Sequence, residues 1–193
     1  MSLHADAVRE LTEWDPSSAD QDALRRECLD FLSDHDDGVW RTCAPSHLTA
    51  SAVVLDPTRA QVLLVLHGKV KRWLQPGGHC ETGDTSLAAA ALREATEESG
   101  IPGLRLLPGV CHVSRHRAPC QPGVVDHHLD VRYAVLAPPG AVPVTSDESL
   151  DVRWFNWDAP QDKAGEIAAM VAAGRGRLDR IDAGSISRRT RDR

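Results

Sequence analysis

Apolar residues recur along this chain with two different periods, and the switches between them divide it into elements. Leu24, Cys28, Phe31 and Leu32 recur at helical spacing behind two candidate caps, Ser18 and Asp20. That pattern predicts one amphipathic helix over about residues 20–35. From His47 the pattern becomes that of strands. Ser51–Leu55 and Val62–Leu66 are β-rich runs joined by the turn residues Asp56-Pro57-Thr58-Arg59. A short strand over Arg72–Leu74 ends in Gln75-Pro76-Gly77-Gly78, where regular structure is expected to stop. A second helix is expected from about Thr85 to Ser99, stopped by Gly100 with Pro102 just beyond. Further β-rich segments fall near Leu104–Val113, His128–Leu136 and Val152–Trp157, and a last helix near Gln161–Ala173. Strands precede, separate and follow the helices irregularly. This predicts an α+β fold, a mixed sheet with helices on both sides.

The same pass suggests three parts. Residues 1–46 form an acidic helical extension with 11 Asp or Glu against 4 Arg. Its helix is expected to dock on the domain that follows; a dimer arm or substrate lid is the sharper alternative, so a homodimer fits. Residues 47–173 form the main domain. Residues 174–193 form a tail with seven Arg against three Asp plus Gly and Ser, and weak order is expected there. The formal net charge of -6 disfavours a broad clamp on extended nucleic acid. It leaves room for a small anionic substrate held through recruited cations. Five cysteines without a CxxC spacing read as free thiols in a reducing compartment. No apolar run is long enough to span a bilayer, and the first residues do not read as a signal peptide. A cytoplasmic protein with no membrane partner is expected.

The chemistry is concentrated in one stretch. In the helix expected over 85–99, Ala88, Ala91, Leu92 and Ala95 form an apolar stripe. Glu94, Glu97 and Glu98 lie at i, i+3 and i+4 and share another face. Three neighbouring carboxylates near a helix C-terminus repel one another and oppose the dipole. Arg93 can pair with Glu97 at i+4, but a hard divalent cation would relieve the remainder. Directly before this helix come Gly77, Gly78 and Gly83, which permit close backbone approach to phosphate or metal.

These residues resemble the box of the Nudix hydrolase (MutT-like) family. That box is a Gly, five residues, Glu, seven residues, Arg-Glu, an aliphatic, any residue, Glu-Glu, any residue, Gly and an aliphatic. Gly78, Arg93, Glu94, Glu97, Glu98, Gly100 and Ile101 match it in order. Asp84 stands where the family has its first Glu, eight residues rather than seven separate it from Arg93, and Ala95 is a small aliphatic. Helix capping is the expected role of Asp84. Trp73-Leu74-Gln75-Pro76 resembles the usual entry to the box, and Ser146–Ser149 with Val152–Phe155 resembles the late segment before the final helix. The resemblance implies a Nudix-type α/β/α sandwich over about residues 47–173. It implies water attack at phosphorus on a diphosphate linkage of a nucleotide-like small molecule, with Mg²⁺ or Mn²⁺ as cofactor. It implies that Glu94, Glu97, Glu98 and the Gly78 carbonyl bind metal, that Arg93 orients a glutamate, and that Glu97, Glu98 or Glu148 is the general base. A catalytically weakened nucleotide-binding module is the alternative reading.

Outside the box, alternation places His128, Asp130 and Arg132 on one face of a strand. This polar face reads as a cleft wall, with His128 and Arg132 as substrate contacts. Cys111, His112, His116, Cys120, His127 and His128 invite a zinc reading, but their spacings match no standard pattern. The loop from Arg115 to Asp126 is instead expected to line the substrate entrance. Trp40, Trp73, Trp154 and Trp157 could stack on a base or belong to the core.

Overall fold

The architecture comes from a computed structural model. It describes residues 1–58, 60–117, 124–125, 127–146, 149–157 and 166–191, with side chains to residue 180. Eleven elements follow in order: α1 (Leu3–Glu13), α2 (Ala19–Asp34), β1 (Ser46–Leu55), β2 (Gln61–His67), β3 (Trp73–Leu74), β4 (Gly77–His79), α3 (Leu87–Ser99), β5 (Arg105–Arg117), β6 (His127–Leu136), β7 (Ser149–Asn156) and α4 (Glu166–Arg191).

One seven-stranded sheet holds every strand, in the order β3-β2-β1-β6-β5, with β4 also paired to β1 and β7 to β2. β1 and β6 run parallel over their whole length, from Ser46↔His127 to Leu55↔Leu136. The other pairings are antiparallel, so the sheet is mixed as expected. Its two faces are covered by different helices. Leu48 and Ala50 of β1 pack with Leu87, Ala90 and Ala91 of α3, and Ala52 and Val54 with Ala95. On the opposite face Val53, Leu55 and Ala134 pack with Ile167, Met170 and Val171 of α4. Strand alternation sends successive residues to these two layers, which gives the α/β/α sandwich.

The N-terminal extension holds two helices, where one had been expected. α2 matches the expected helix; α1 was missed because its apolar line is short, namely Leu3, Ala7 and Leu11, all buried. Both helices join the α3-side core through Trp14, Cys28 and Leu32. Polar staples fix them there. Gln21 donates its side-chain amide to the Val113 carbonyl at 2.9 Å and accepts from the Val113 amide at 2.8 Å. Asp6 accepts from the Leu87 amide at 3.0 Å, reaching the first turn of α3.

At the other end, α4 runs on to Arg191. The tail expected from Gly174 to be weakly ordered is helix as far as Arg191. Gly174 packs α4 tightly on the sheet, where a Cβ would stand 3.0 Å from Val53. The expected stop at Gln75–Gly78 also gave way, because Gly77 and Gly78 pair with Ser51 and Ala50 as β4. No helix among the described residues is long and apolar enough to cross a membrane.

Candidate active site

The acidic helix α3 begins at Leu87. Its N-cap is Ser86, whose hydroxyl accepts from the Ala89 amide at 3.0 Å. Gly100 ends it in the left-handed region at φ 63°, a conformation that costs glycine least. The cap expected at Asp84 is thus corrected. The extra residue between loop and helix moves the cap to Ser86 and leaves Asp84 for another task. Asp84 accepts from Arg93 Nε at 3.1 Å and from Nη2 at 3.0 Å, a bidentate pair, and from the Glu81 amide at 2.8 Å. Burial alone would raise the Asp84 carboxyl; the Arg93 hydrogen bonds outweigh it and hold it below its ordinary value. The same bond to Asp84 raises Arg93.

Arg93 ties the box together. Its Nη2 also donates to the His79 carbonyl at 3.0 Å, and its Nη1 donates to Glu94 and to Glu97, each at 3.1 Å. The expected Arg93–Glu97 pair is therefore present. The three glutamates do not share one environment. The Glu97 side chain is 59% exposed and that of Glu94 only 14%. Glu98 is buried and continues the line Ala91–Ala95, reaching the Gly77 amide, from which it accepts at 2.9 Å. The buried stripe is Leu87, Ala90, Ala91, Ala95 and Glu98, rotated from the expected one; Ala88 and Leu92 are only partly buried. Gly78 explains how Glu94 reaches the strand: a Cβ there would lie 2.6 Å from the Glu94 carboxylate. Glu148, expected as a rival base, lies outside the described residues, as do most of the expected entrance loop and Cys120.

The opposite face of the same strands is also polar. His47, Thr49 and Ser51 of β1 stand beside His128, Asp130 and Arg132 of β6. All six are buried. Asp130 accepts from Thr49 at 3.0 Å, from Ser51 at 2.7 Å, from Gln75 at 3.2 Å and from Arg132 at 2.8 Å. Burial pushes this carboxyl up, and Arg132 with its other partners brings it below its ordinary value. Arg132 donates further to Ser114 and to Glu166 of α4, each at 2.7 Å. Its Nη1 is buried and finds no partner among the described residues. The alternation read from the strand thus held, but the face is a buried ion-pair network where an open cleft wall had been expected.

His128 belongs to a second cluster there. Its ring lies 4.8 Å from that of His47 and 5.1 Å from that of His79, centroid to centroid. Burial lowers all three imidazoles, His79 to about 4 and His128 to about 3, and the neighbouring histidines add to it for those two. The sequence had not pointed to His47 or His79. Of the expected zinc candidates, Cys111 is in the core under α4 and His112 is half-buried; His128 belongs to this cluster, and His116 meets the His128 ring edge-on at 5.4 Å. Cys28, Cys43, Cys80 and Cys111 are free, as expected. Of the tryptophans, Trp73 packs edge-on against Phe155, Trp154 donates to the Ala141 carbonyl, and Trp157 lies against the Arg175 guanidinium.

Comparison with known proteins places this geometry. The family model described as the NUDIX domain matches residues 45–173. No curated protein matches the chain. A NUDIX-family hydrolase from Clostridium perfringens superposes with a TM-score of 0.53 at 22% identity, covering 67% of this chain and 96% of that one. An Ap4A hydrolase from C. elegans, solved as a binary complex, gives 0.53 at 19% identity, covering 71% and 98%. The NUDIX domain of Shewanella oneidensis NrtR, complexed with ADP ribose, gives 0.53 at 21% identity, covering 77% and 97%. At these identities the three structures establish a common fold.

Proposed function

The chain belongs to the NUDIX family of hydrolases acting on phosphoric anhydrides, and on that premise we propose that it splits a diphosphate linkage in a nucleoside diphosphate derivative by water attack at phosphorus. One observation carries this reading. Arg93 is clamped by Asp84 and the His79 carbonyl, and holds Glu94 and Glu97 on one guanidinium nitrogen. The departures from the family box therefore leave its arginine and glutamates arranged together. The extra residue is absorbed before Ser86, and Asp84 keeps a carboxylate on Arg93. This removes the support that altered spacing gave to a catalytically weakened binding module.

The residues fit a hard divalent cation. Glu94, Glu97 and Glu98 with the Gly78 carbonyl offer only oxygen donors, as Mg²⁺ or Mn²⁺ prefers. The absence of a Cβ on Gly78 is what admits the Glu94 carboxylate to the strand. Such ions neutralise phosphate charge and lower the pKa of bound water. The chain's own groups supply the rest. Arg93 orients Glu94 and Glu97 and does not reach the substrate. The proton of the attacking water goes to a carboxylate drawn from Glu97, Glu98 and Glu148. Arg132 and His128 are buried, Arg132 among Asp130, Ser114 and Glu166, so neither is assigned a contact with the substrate.

Two neighbours support a nucleotide substrate: one is named for Ap4A and another is complexed with ADP ribose. The test is product release from a panel of nucleoside diphosphate derivatives, with and without Mg²⁺. Turnover that needs Mg²⁺ and falls by roughly 10²–10³-fold in Glu97→Gln, with folding intact, is expected. Mg²⁺-independent turnover, or none on any member, would overturn the reading.

A further inference from the structure

The box leaves unused three clustered histidines, His47 and His128 buried and His79 half-buried. We propose that His47, His79 and His128 form a second cation site, which takes a borderline divalent transition metal such as Zn²⁺ or Co²⁺ through three imidazole nitrogens.

Strand register builds the site. Thr49 faces His79 across β1 and β4, and His47 faces His128 across β1 and β6. Three adjacent strands thereby bring one histidine each to the same face of the sheet, and one ring nitrogen from each lies within 4.8 Å of the other two. The Nε2 atoms of His47 and His79 are 3.1 Å apart. Zinc–nitrogen bonds of about 2.0–2.1 Å at tetrahedral angles set neighbouring ligand nitrogens roughly 3.3 Å apart, so this edge is already formed. The widest edge must close by at most about 1.5 Å on the same geometry, which ring rotation about χ angles can supply.

A second observation points the same way. His47 Nδ1 lies 3.2 Å from the Cys43 carbonyl. A carbonyl only accepts, so Nδ1 carries the proton and the Nε2 lone pair is turned into the cluster. Histidine ligands are characteristically fixed in this manner by a backbone carbonyl behind the ring. The rings are tilted at 41°, 53° and 90° to one another, so the trio does not form a parallel stack.

The donor set selects the metal. Asp130, the nearest carboxylate along β6, has both oxygens engaged by Thr49, Ser51, Gln75 and Arg132. A cation among the histidines therefore meets nitrogen, which suits zinc, cobalt and nickel better than magnesium. Three protein ligands leave a fourth position for water, the pattern of open zinc sites. The site is separate from the carboxylates of α3 and does not rest on their assignment.

The experiment uses the full chain, stripped with chelator, returned to saturating Mg²⁺ and titrated with Co²⁺. Equilibrium dialysis with metal analysis gives the stoichiometry, and visible absorption gives the geometry. One Co²⁺ per chain with an intense tetrahedral-type band is expected. Binding should weaken by more than about tenfold in His79→Gln and in His128→Gln and stay unchanged in Glu97→Gln. No retained Co²⁺, equal retention in both histidine variants, or loss in Glu97→Gln alone would overturn the proposal. Should the histidine variants misfold, X-ray absorption of the Zn²⁺-loaded wild-type chain decides. An imidazole nitrogen shell supports the site, and an oxygen-only shell overturns it.

Discussion

The two sides of β4, a strand of three residues, carry opposite ligand chemistry. Toward α3, Gly78 yields its space to the Glu94 carboxylate, and the surrounding donors are oxygens held by Arg93. Toward α4, His79 joins His47 and His128, and the donors are nitrogens. The α3 side is reached by solvent, as the exposed Glu97 shows, whereas the α4 side is sealed into the network of Asp130, Arg132 and Glu166. The contrast teaches that one sheet can keep two polar regions apart simply by alternation. Successive residues of a strand face different layers, so a carboxylate site and an imidazole site can share a backbone without sharing a ligand.

If that division holds, damage on the two sides should read out differently. The largest effect is expected on the sealed side. Asp130→Ala removes the partner of a buried guanidinium, and breaking such a pair costs about 3–5 kcal/mol. Urea denaturation should show it, and a loss below about 1 kcal/mol would mean that water reaches this face. On the α3 side the loss should be catalytic. Glu97→Gln should lower kcat by roughly 10²–10³-fold, since a catalytic cation is worth several kcal/mol. Because Glu97 is exposed, its unfolding free energy should stay within about 0.5 kcal/mol. A stability loss with unchanged kcat would reverse the comparison.

Two smaller effects sharpen it. Asp84→Asn weakens the bidentate hold on Arg93 without touching a proposed ligand. Activity should fall by about 10–100-fold and partly recover at high Mg²⁺, as for partners that orient metal ligands. A Mg²⁺-independent loss would assign Asp84 a different role. Finally, His112 on the sealed face is held at about 4 from its ordinary 6.5, by burial first and the Arg132 charge second. Between those values the unfolded chain binds a proton that the folded chain does not. The contribution is complete above about pH 6.5 and is lost as pH falls toward 4. His112→Leu should therefore flatten the pH dependence of the urea midpoint across that window. An unchanged slope would show that His112 is protonated in the folded chain.

The sequence determined whatever is local. The run from Gly78 to Ile101 spans one loop and one helix, and its glutamates fall together through helical periodicity alone. The mixed sheet, α2 and the Arg93–Glu97 pair were legible for the same reason. Alternation in β6 likewise sets His128, Asp130 and Arg132 on one face by the order of residues alone. Tertiary structure decided which groups meet from distant parts of the chain. His47 and His79 are 32 residues apart, and only the registers of β4 and β6 on β1 make them neighbours of His128. It also decided solvent access. Arg132 reads as a substrate contact on an isolated strand, but Glu166 and Ser114 close over it. Asp84 reads as a cap until Ser86 takes that place and Arg93 claims the carboxylate. Periodicity fixes the direction of a side chain relative to its own backbone; only packing fixes what stands at its far end.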